Sequence, residues 1–470
     1  MSLRTNKCQF FLIYCQILCK DIYDNKMTDT ELNILRNQIN QLDDQILSIL
    51  DQRSLIVTEI GKLKDHTKGV VDENREQTVL NRLLLLSKGK YSKGSIIRIW
   101  RELFDASSKL QLPIDSSITS KRSIEKINVY KGGKAKLSGI ENIVKLSSNE
   151  NPLGPSKKIN SNINVKNLNR YPEINGETLR KQIARLHNIE SKQIILGCGS
   201  DETLLFAALS FCQSGDEIIH AEHGFEMYSI IAKVVGAVSK LAKEINYKIT
   251  VSTICDQLTP ATKLIYIANP NNPTGSYLSK SEITELMSRI PKNVIVVIDN
   301  AYAEYVKVDD YDSGFSLVKE YENIIITRTF SKAYGLAGIR LGWCYSSPKV
   351  ASILSRVKGP FNTNTIAQNF ALIALEDQEH IAISVKENQI NKNWFEKELN
   401  KLGIKTIKTF ANFSFIESNK EKALLITKAL EKEGILIRQL ESYNLPNCLR
   451  ISIGTLEDMK RIIKIIESLL

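Results

Sequence analysis

Between Thr327 and Trp343 the chain reads TRTFSKAYGLAGIRLGW, which sets Lys332 just behind the apolar run NIIIT and Arg340 eight positions further on. A lysine in the open is a solvated charge. A lysine delivered by the end of a buried strand is desolvated, and its neutral amine becomes a nucleophile suited to imine chemistry. Three other stretches carry groups that such chemistry uses. GCGSDETLLFAAL follows the strand-like QIIL and opens a helix, so backbone N–H groups at 199–202 could hold a phosphate, although Asp201 could equally cap that helix. ANPNNPTG, residues 268–275, is a Pro- and Asn-dense turn after LIYI. VVIDNAYAEY ends a strand with Asp299, three residues before Tyr302. A buried carboxylate there would keep a pyridine nitrogen protonated and the phenol would bond a ring oxygen; the plain alternative is a helix N-cap.

A second group of polar residues stands in an apolar stripe nearer the N-terminus. Arg53 occupies a position where the spacing calls for Leu or Ile, and a charge there is rarely buried without a partner. Lys64 is 11 residues on, roughly 20° off the same face and about 16 Å along it. Two long basic side chains could close on a small dianion. Arg36 lies 17 residues before Arg53, about 26 Å away and ~100° round, so it could share that ligand only from a second copy. Ser107 and Gln111 continue the stripe of Ile96, Trp100 and Leu103. The plain alternative is a three-helix docking domain with charges at its seam.

These residues need two kinds of scaffold. Residues 29–111 show no strand signal. Apolar positions 32, 35, 39, 42, 46, 49, 56, 60 and 63 predict one amphipathic helix of roughly 35 residues. HTKG at 66–69 stops it, Asp72 caps a second helix, and a third covers about 95–111. Residues 113–127 read as a polar linker. From 128 on, β-branched runs (QIILG, DEIIHA, TKLIYIA, NVIVVID, NIIIT) alternate with helical patterns, which predicts a mostly parallel sheet, with a smaller α/β domain from about 385 to 470. In such sheets the chemical groups converge outside the carboxyl ends of the strands.

The chain has 470 residues, 43% of them apolar, and a net charge of +11 without a block of like charges, which argues against a nucleic-acid arm and suits anionic small substrates. Eight cysteines without a CxxC pair read as reduced, cytoplasmic thiols, and five histidines without HExxH give no support for a metal site. No run is long enough for a membrane span. Residues 1–26 read as a disordered or mis-started extension, because Met27 opens MTDTELNILR, where Thr28 and Glu31 have capping-box spacing.

The larger part resembles the fold-type I pyridoxal-phosphate aminotransferases, specifically the histidinol-phosphate aminotransferase group, on LSSNENPLGPS, NRYPE, GCGSDE, NPNNPTG, IDNAY, TFSKAYGLAGIRLG and CLRISIGT across 128–470. The resemblance implies pyridoxal 5'-phosphate on Lys332, which would also shuttle the proton. It implies Asp299 at the pyridine nitrogen, Tyr302 and Asn272 at the ring oxygen, and Phe225 stacked on the ring. The backbone at Ser200 and Asp201, with Ser331 and Arg340, would hold the phosphate, with Tyr171 from a partner subunit. Arg450 would clamp the substrate carboxylate, with Asn151, Tyr130 and Arg438 on the substrate side. Asn300 departs from the Glu that usually follows the aspartate.

Residues 27–112 resemble the all-helical chorismate mutases, on LRNQINQLDDQILSILDQRSLIVTEIGKLK, DENRE and SSKLQ. That implies Arg53, and Arg36 of a partner, on the two carboxylates; Lys64 and Gln111 at the ether oxygen; Glu76 and Asp72 at the hydroxyl side; and Arg75 and Ser107 nearby. The spacer from Lys64 to Asp72 is one residue short of the common length. Together the halves imply chorismate rearrangement followed by transamination of an aromatic keto acid with an amino donor, in a homodimer or higher homo-oligomer. The competing readings are histidinol-phosphate transamination, an inactive helical domain that senses aromatic amino acids, and a transcription regulator. The last would need short helices and a β-wing, which the long first helix argues against.

Overall fold

The computed structural model describes residues 5–64, 71–111, 120–129, 142–160 and 168–469, with backbone alone at 5–28, 122 and 160. Three helices come first: α1 (Thr5–Leu63), α2 (Glu73–Leu86) and α3 (Lys93–Leu110). Here α1 exceeds the expected 35 residues and absorbs the segment expected to be disordered, so Thr28 caps nothing. The reason is local: no Pro or Gly stands between Thr5 and Ile60 to stop a helix already propagating. Asp72 does cap α2, its Oδ1 accepting from the Arg75 N–H at 2.9 Å.

By contacts the chain forms two compact units, residues 1–82 with 100–118 and residues 83–99 with 119–470. The sequence suggests a cut in the linker 113–127; the contacts assign the segment 83–99 to the larger unit, where Arg98 pairs with the buried Asp216 at 2.9 Å.

The first strand of the larger unit is β1 (Val144–Lys145), followed by the strands of a seven-stranded sheet. These are β2 (Ile194–Gly197), β3 (Glu217–Ala221), β4 (Val238–Ala242), β5 (Thr262–Ala268), β6 (Ile295–Asp299), β7 (Ile324–Thr329) and β8 (Gly342–Ser346). The order is β2-β8-β7-β6-β5-β3-β4, and only β8 runs against its neighbours. Strands β6, β7 and β8 are buried along their whole length, because helices cover both faces. One apolar cluster fills each side. Register aligns Ala268, Asp299 and Thr327 as neighbours at the carboxyl ends of β5, β6 and β7.

A smaller four-stranded sheet, ordered β12-β13-β10-β9, contains β9 (Lys405–Ile407), β10 (Phe413–Glu417), β12 (Arg438–Leu440) and β13 (Leu445–Ser452). Its core is backed by the helices Gln378–Lys401, Lys420–Lys432 and Leu456–Glu467. Strand β1 pairs in parallel with β11 (Ile435–Leu436), so residues just after 143 run beside this smaller domain and then on to the sheet ends. Among the described residues no helix is long and apolar enough to cross a membrane.

Candidate active site

The carboxyl ends of β5, β6 and β7 open on a cavity of about 360 Å³ lined by Lys332, Asp299, Tyr302, Asn272, Phe225 and Arg340, among others. Lys332 leaves the turn after β7 half-buried and donates from Nζ to the Ser148 carbonyl at 3.0 Å. Burial, with Arg450 pushing the same way, brings its amine down to about 8, against the opposing pull of Asp201 and Glu150. About a tenth of the amine is then neutral at pH 7, far more than for a solvated lysine, and the neutral amine is the form that imine formation needs.

Asp299 is buried at the end of β6, but it does not cap a helix. Its Oδ2 accepts from the Tyr228 hydroxyl at 2.9 Å and its Oδ1 from the Thr327 hydroxyl at 2.8 Å. Burial raises its carboxyl to about 6, and the two hydroxyl donors pull it back down. The Tyr302 hydroxyl accepts from Asn149 Nδ2 at 2.9 Å. Asn272 Oδ1 accepts from Arg450 Nη1 at 2.5 Å, so its amide NH₂ is the end that can donate to a bound group.

The phosphate end is built from glycines. Gly199 has φ +79°, and a Cβ there would stand 2.5 Å from Arg340 Nη2. A Cβ on Gly342 would stand 2.3 Å from the Ser200 backbone nitrogen. Only glycine therefore lets Arg340 and the amino end of the helix Ser200–Phe211 share one small space, which suits a phosphate. Asp201 is not the helix cap; its carboxylate faces Arg340 Nη2 at 3.2 Å, and Arg340 Nη1 lies 3.5 Å from Ser331 Oγ. Covalent lysine, buried carboxylate, phenol, aromatic face and phosphate cradle together fit pyridoxal 5'-phosphate.

Profiles of known families agree. The profile "Aminotransferase class I and II" matches residues 141–466. The chain belongs to the class I and II aminotransferases. A second profile, "Chorismate mutase type II", matches residues 35–112, so this aminotransferase carries a fused chorismate mutase domain. Its aminotransferase part is 39% identical over 349 residues to a histidinol-phosphate aminotransferase of Roseobacter denitrificans, covering 74% of this chain and 97% of that protein. It is 40% identical over 344 residues to histidinol-phosphate aminotransferase 2 of Haemophilus influenzae, covering 72% and 94%. The histidinol-phosphate aminotransferase of Sinorhizobium meliloti, solved with pyridoxal-5'-phosphate, shares the fold at a TM-score of 0.70 and 22% identity, over 76% of this chain and all of that one. The cofactor of this aminotransferase is pyridoxal 5'-phosphate.

Not every expected residue reaches the cavity. Asn151 instead holds the residue beside the lysine, donating to the Ala333 carbonyl at 2.9 Å and to Ser384 Oγ at 3.0 Å. Arg438 stands 3.6 Å from the Glu226 carboxylate and does not line the cavity. Tyr171 is 81% exposed and stacks on Phe361 at 4.5 Å, away from its own Lys332 cavity. Arg450 sits behind Asn272, also donating to the Ser147 carbonyl at 2.7 Å, with its Nε buried and unpartnered. Tyr130 lies outside the described residues. Asn300, the departure from the family pattern, is fully buried and ties Ser313 and Tyr311 in place at 2.6 and 3.1 Å.

Sequence reasoning overlooked Tyr228, Thr327, Ser148, Lys145 and Glu150. Tyr228 sits three residues after Phe225, on the facing side of one helical turn, which was a legible spacing. Thr327 became legible only through its register with Asp299.

In the helical unit, Arg53 Nη1 donates to Ser107 Oγ, which in turn donates to the Leu103 carbonyl. Gln111 Nε2 donates to the Ser107 carbonyl at 3.2 Å, while its Oε1 is buried without a partner. A Cβ on Gly61 would lie 3.0 Å from Gln111 Cγ, so a glycine permits the close approach of α1 and α3 here. Arg53, Ser107 and Gln111 thus form one polar group. Lys64 follows the end of α1 and Glu76 stands in the first turn of α2, both half-buried, whereas Arg75 is exposed. Asp72 spends one carboxylate oxygen on the cap of α2, as its position before the helix predicts. Arg36 is exposed and reaches only Asn33 on its own helix, at 3.4 Å.

Proposed function

We propose that this chain rearranges chorismate to prephenate in its helical unit and transaminates an aromatic keto acid of the prephenate or phenylpyruvate type at Lys332. The observation that carries this is the Arg53–Ser107–Gln111 group on the same chain as the Lys332 cavity. A unimolecular rearrangement needs neither nucleophile nor acid. It needs a held conformer, which Arg53 supplies at a carboxylate, and positive charge or donors at the developing oxyanion, which Lys64 and Gln111 supply. Glu76 serves the hydroxyl side.

Arg36 acts from a second copy. Leu35, Ile39, Leu42, Ile46 and Ile49 of α1 are each more than half exposed, an apolar stripe that a partner helix would cover. Tyr171, exposed and distant from its own cavity, serves the phosphate of the partner.

At the second site, pyridoxal phosphate supplies the electron sink that makes the substrate α-carbon acidic. Asp299 keeps a positive charge on the ring nitrogen, with Tyr228 and Thr327 holding the carboxylate ionised. Asn272 and Tyr302 would hold the ring oxygen, Phe225 would cover the ring, and the backbone at Ser200 and Asp201, with Ser331 and Arg340, would fix the phosphate. Arg450 takes the substrate carboxylate with a buried guanidinium whose Nε awaits an acceptor. Lys332, whose amine is the base nearest the reacting centre, would carry the α-proton during the transfer.

A second reading is histidinol-phosphate transamination, favoured by the names and 38–40% identity of the relatives. Against it, Arg438 already faces Glu226. Steady-state kinetics on prephenate, phenylpyruvate and imidazole-acetol phosphate decide. An aromatic keto acid should lead in kcat/KM; a tenfold lead for imidazole-acetol phosphate would replace the first reading with the second.

A further inference from the structure

One short segment, residues 145–150, lines the Lys332 cavity through Lys145, Ser148 and Glu150 and bonds to Arg450, Lys332 and Tyr302. Its Ser147 carbonyl accepts from Arg450 and its Ser148 carbonyl from Lys332. Its Asn149 amide donates to the Tyr302 hydroxyl, and its backbone is pinned by Ser452 Oγ at 2.8 Å. The two charged side chains that bracket the segment, Lys145 and Glu150, both line the cavity and pair with each other at 2.8 Å.

The cations around this cavity have different tasks open to them. Lys332 is the covalent anchor. Arg340 belongs to the phosphate cradle with Ser200 and Asp201. Arg450 makes its bonds to a carboxamide and a carbonyl, and its spare Nε suits the carboxylate next to the reacting carbon. That leaves Lys145 among the cavity-lining cations described. Its side chain is 32% exposed and that of its partner 40%, so the pair is wet enough for Glu150 to turn away to solvent. A solvent-accessible pair of this kind is held weakly, so an incoming anion can replace Glu150 cheaply.

We propose that Lys145 binds a second anionic group on the substrate, a carboxylate or a phosphate, and that Glu150 is its resident counter-ion, displaced when that group arrives and retained when the substrate has none. One pocket can then accept doubly and singly charged partners in turn, because Lys145 never remains uncompensated beside an apolar side chain. This deepens the functional reading above by naming what the cavity recognises besides the keto-acid end, and it rests on the Lys332 cavity being the transaminase site.

The test uses the full-length holoenzyme and a matched pair of unreactive ligands, hydrocinnamate and para-carboxyhydrocinnamate, whose dissociation constants are read from the cofactor absorbance. In the wild type the dicarboxylate should bind at least tenfold tighter. Lys145→Met should remove that preference, weakening the dicarboxylate about 10- to 100-fold while leaving hydrocinnamate within about twofold. Lys145→Arg should keep the preference. Glu150→Gln should tighten the dicarboxylate several-fold, an effect that salt reduces. Equal weakening of both ligands in Lys145→Met would mean that Lys145 only supports the segment, and no preference in the wild type would mean that it meets no second anion; either result overturns the proposal. Because neither ligand is a substrate, the outcome does not depend on which keto acid the enzyme turns over, and the kinetics above can fail without this test failing.

Discussion

Replacing Tyr228 with Phe removes one hydroxyl and little else. The ring is fully buried, stacked on Tyr266 with centroids 4.7 Å apart, and a phenyl group preserves that stack. What goes is the donor 2.9 Å from Asp299 Oδ2. A hydrogen bond to a charged group contributes about 1.5–3 kcal/mol, and 1.36 kcal/mol corresponds to one pH unit in a midpoint. Burial already holds Asp299 near 6, and the two hydroxyls lower it. Losing one of them should move its midpoint up by about one to two pH units. At pH 7 the ionised fraction would fall from about nine-tenths to between a half and a tenth. The cofactor's protonated ring needs the ionised form. Cofactor affinity at pH 7, measured by quenching of protein fluorescence on titrating the apoenzyme, should therefore fall about 2- to 10-fold. The gap should close by pH 9, where both proteins are ionised. A Tyr228→Phe protein whose affinity tracks the wild type at every pH, or drops by one factor at all pH values, would refute the assignment of Tyr228 as the group that keeps Asp299 charged.

Loading of the apoenzyme should also report Lys332. Its amine is held down to about 8, so the neutral, reactive form grows as pH rises through 8 and dominates above it. The association rate should climb about tenfold per pH unit below 8 and level off above; a plateau beginning near 10 would contradict the burial of this amine. In the helical unit, about 26 Å of rod separates Arg36 from Arg53. Arg36→Ala and Arg53→Ala homodimers should both be nearly inactive as mutases, and mixing them should restore activity toward a quarter of wild type. Continued inactivity after proven subunit exchange would place Arg36 in its own subunit's site.

Much of the site was legible because chain order and local chemistry coincide at strand ends. A buried strand followed at once by Ser331 and Lys332 leaves the lysine only one environment. Gly199 before Ser200 reads as a phosphate turn in any fold where a strand precedes it. The β-branched runs announce a parallel sheet because both of its faces are covered. In the helical unit, a charge set in an apolar stripe marked Arg53 before any contact was visible.

Other features came from relations between distant segments. Asp299 could have been a helix cap; the alignment of β6 with β7 set it beside Thr327, and the helix Glu226–Val234 brought Tyr228 to its other oxygen. Asn151 looked like a substrate contact by its neighbours in sequence, yet a turn aims it at Ala333 and Ser384, some 180 and 230 residues away. The length of α1 was misjudged because a capping box can start a helix only where the preceding residues are not already helical. The segment 145–150 marked the family in the sequence, but its contacts were not legible there for a similar reason. Its serines act through backbone carbonyls, which any residue has, and its Lys and Glu became a pair at the cavity mouth only when β1 joined β11 and ran on past the ends of the large sheet. Residue type and spacing determined which chemistry this chain carries; partner choice for each polar atom was a matter of tertiary geometry, since a hydrogen bond depends on a distance that no local pattern encodes.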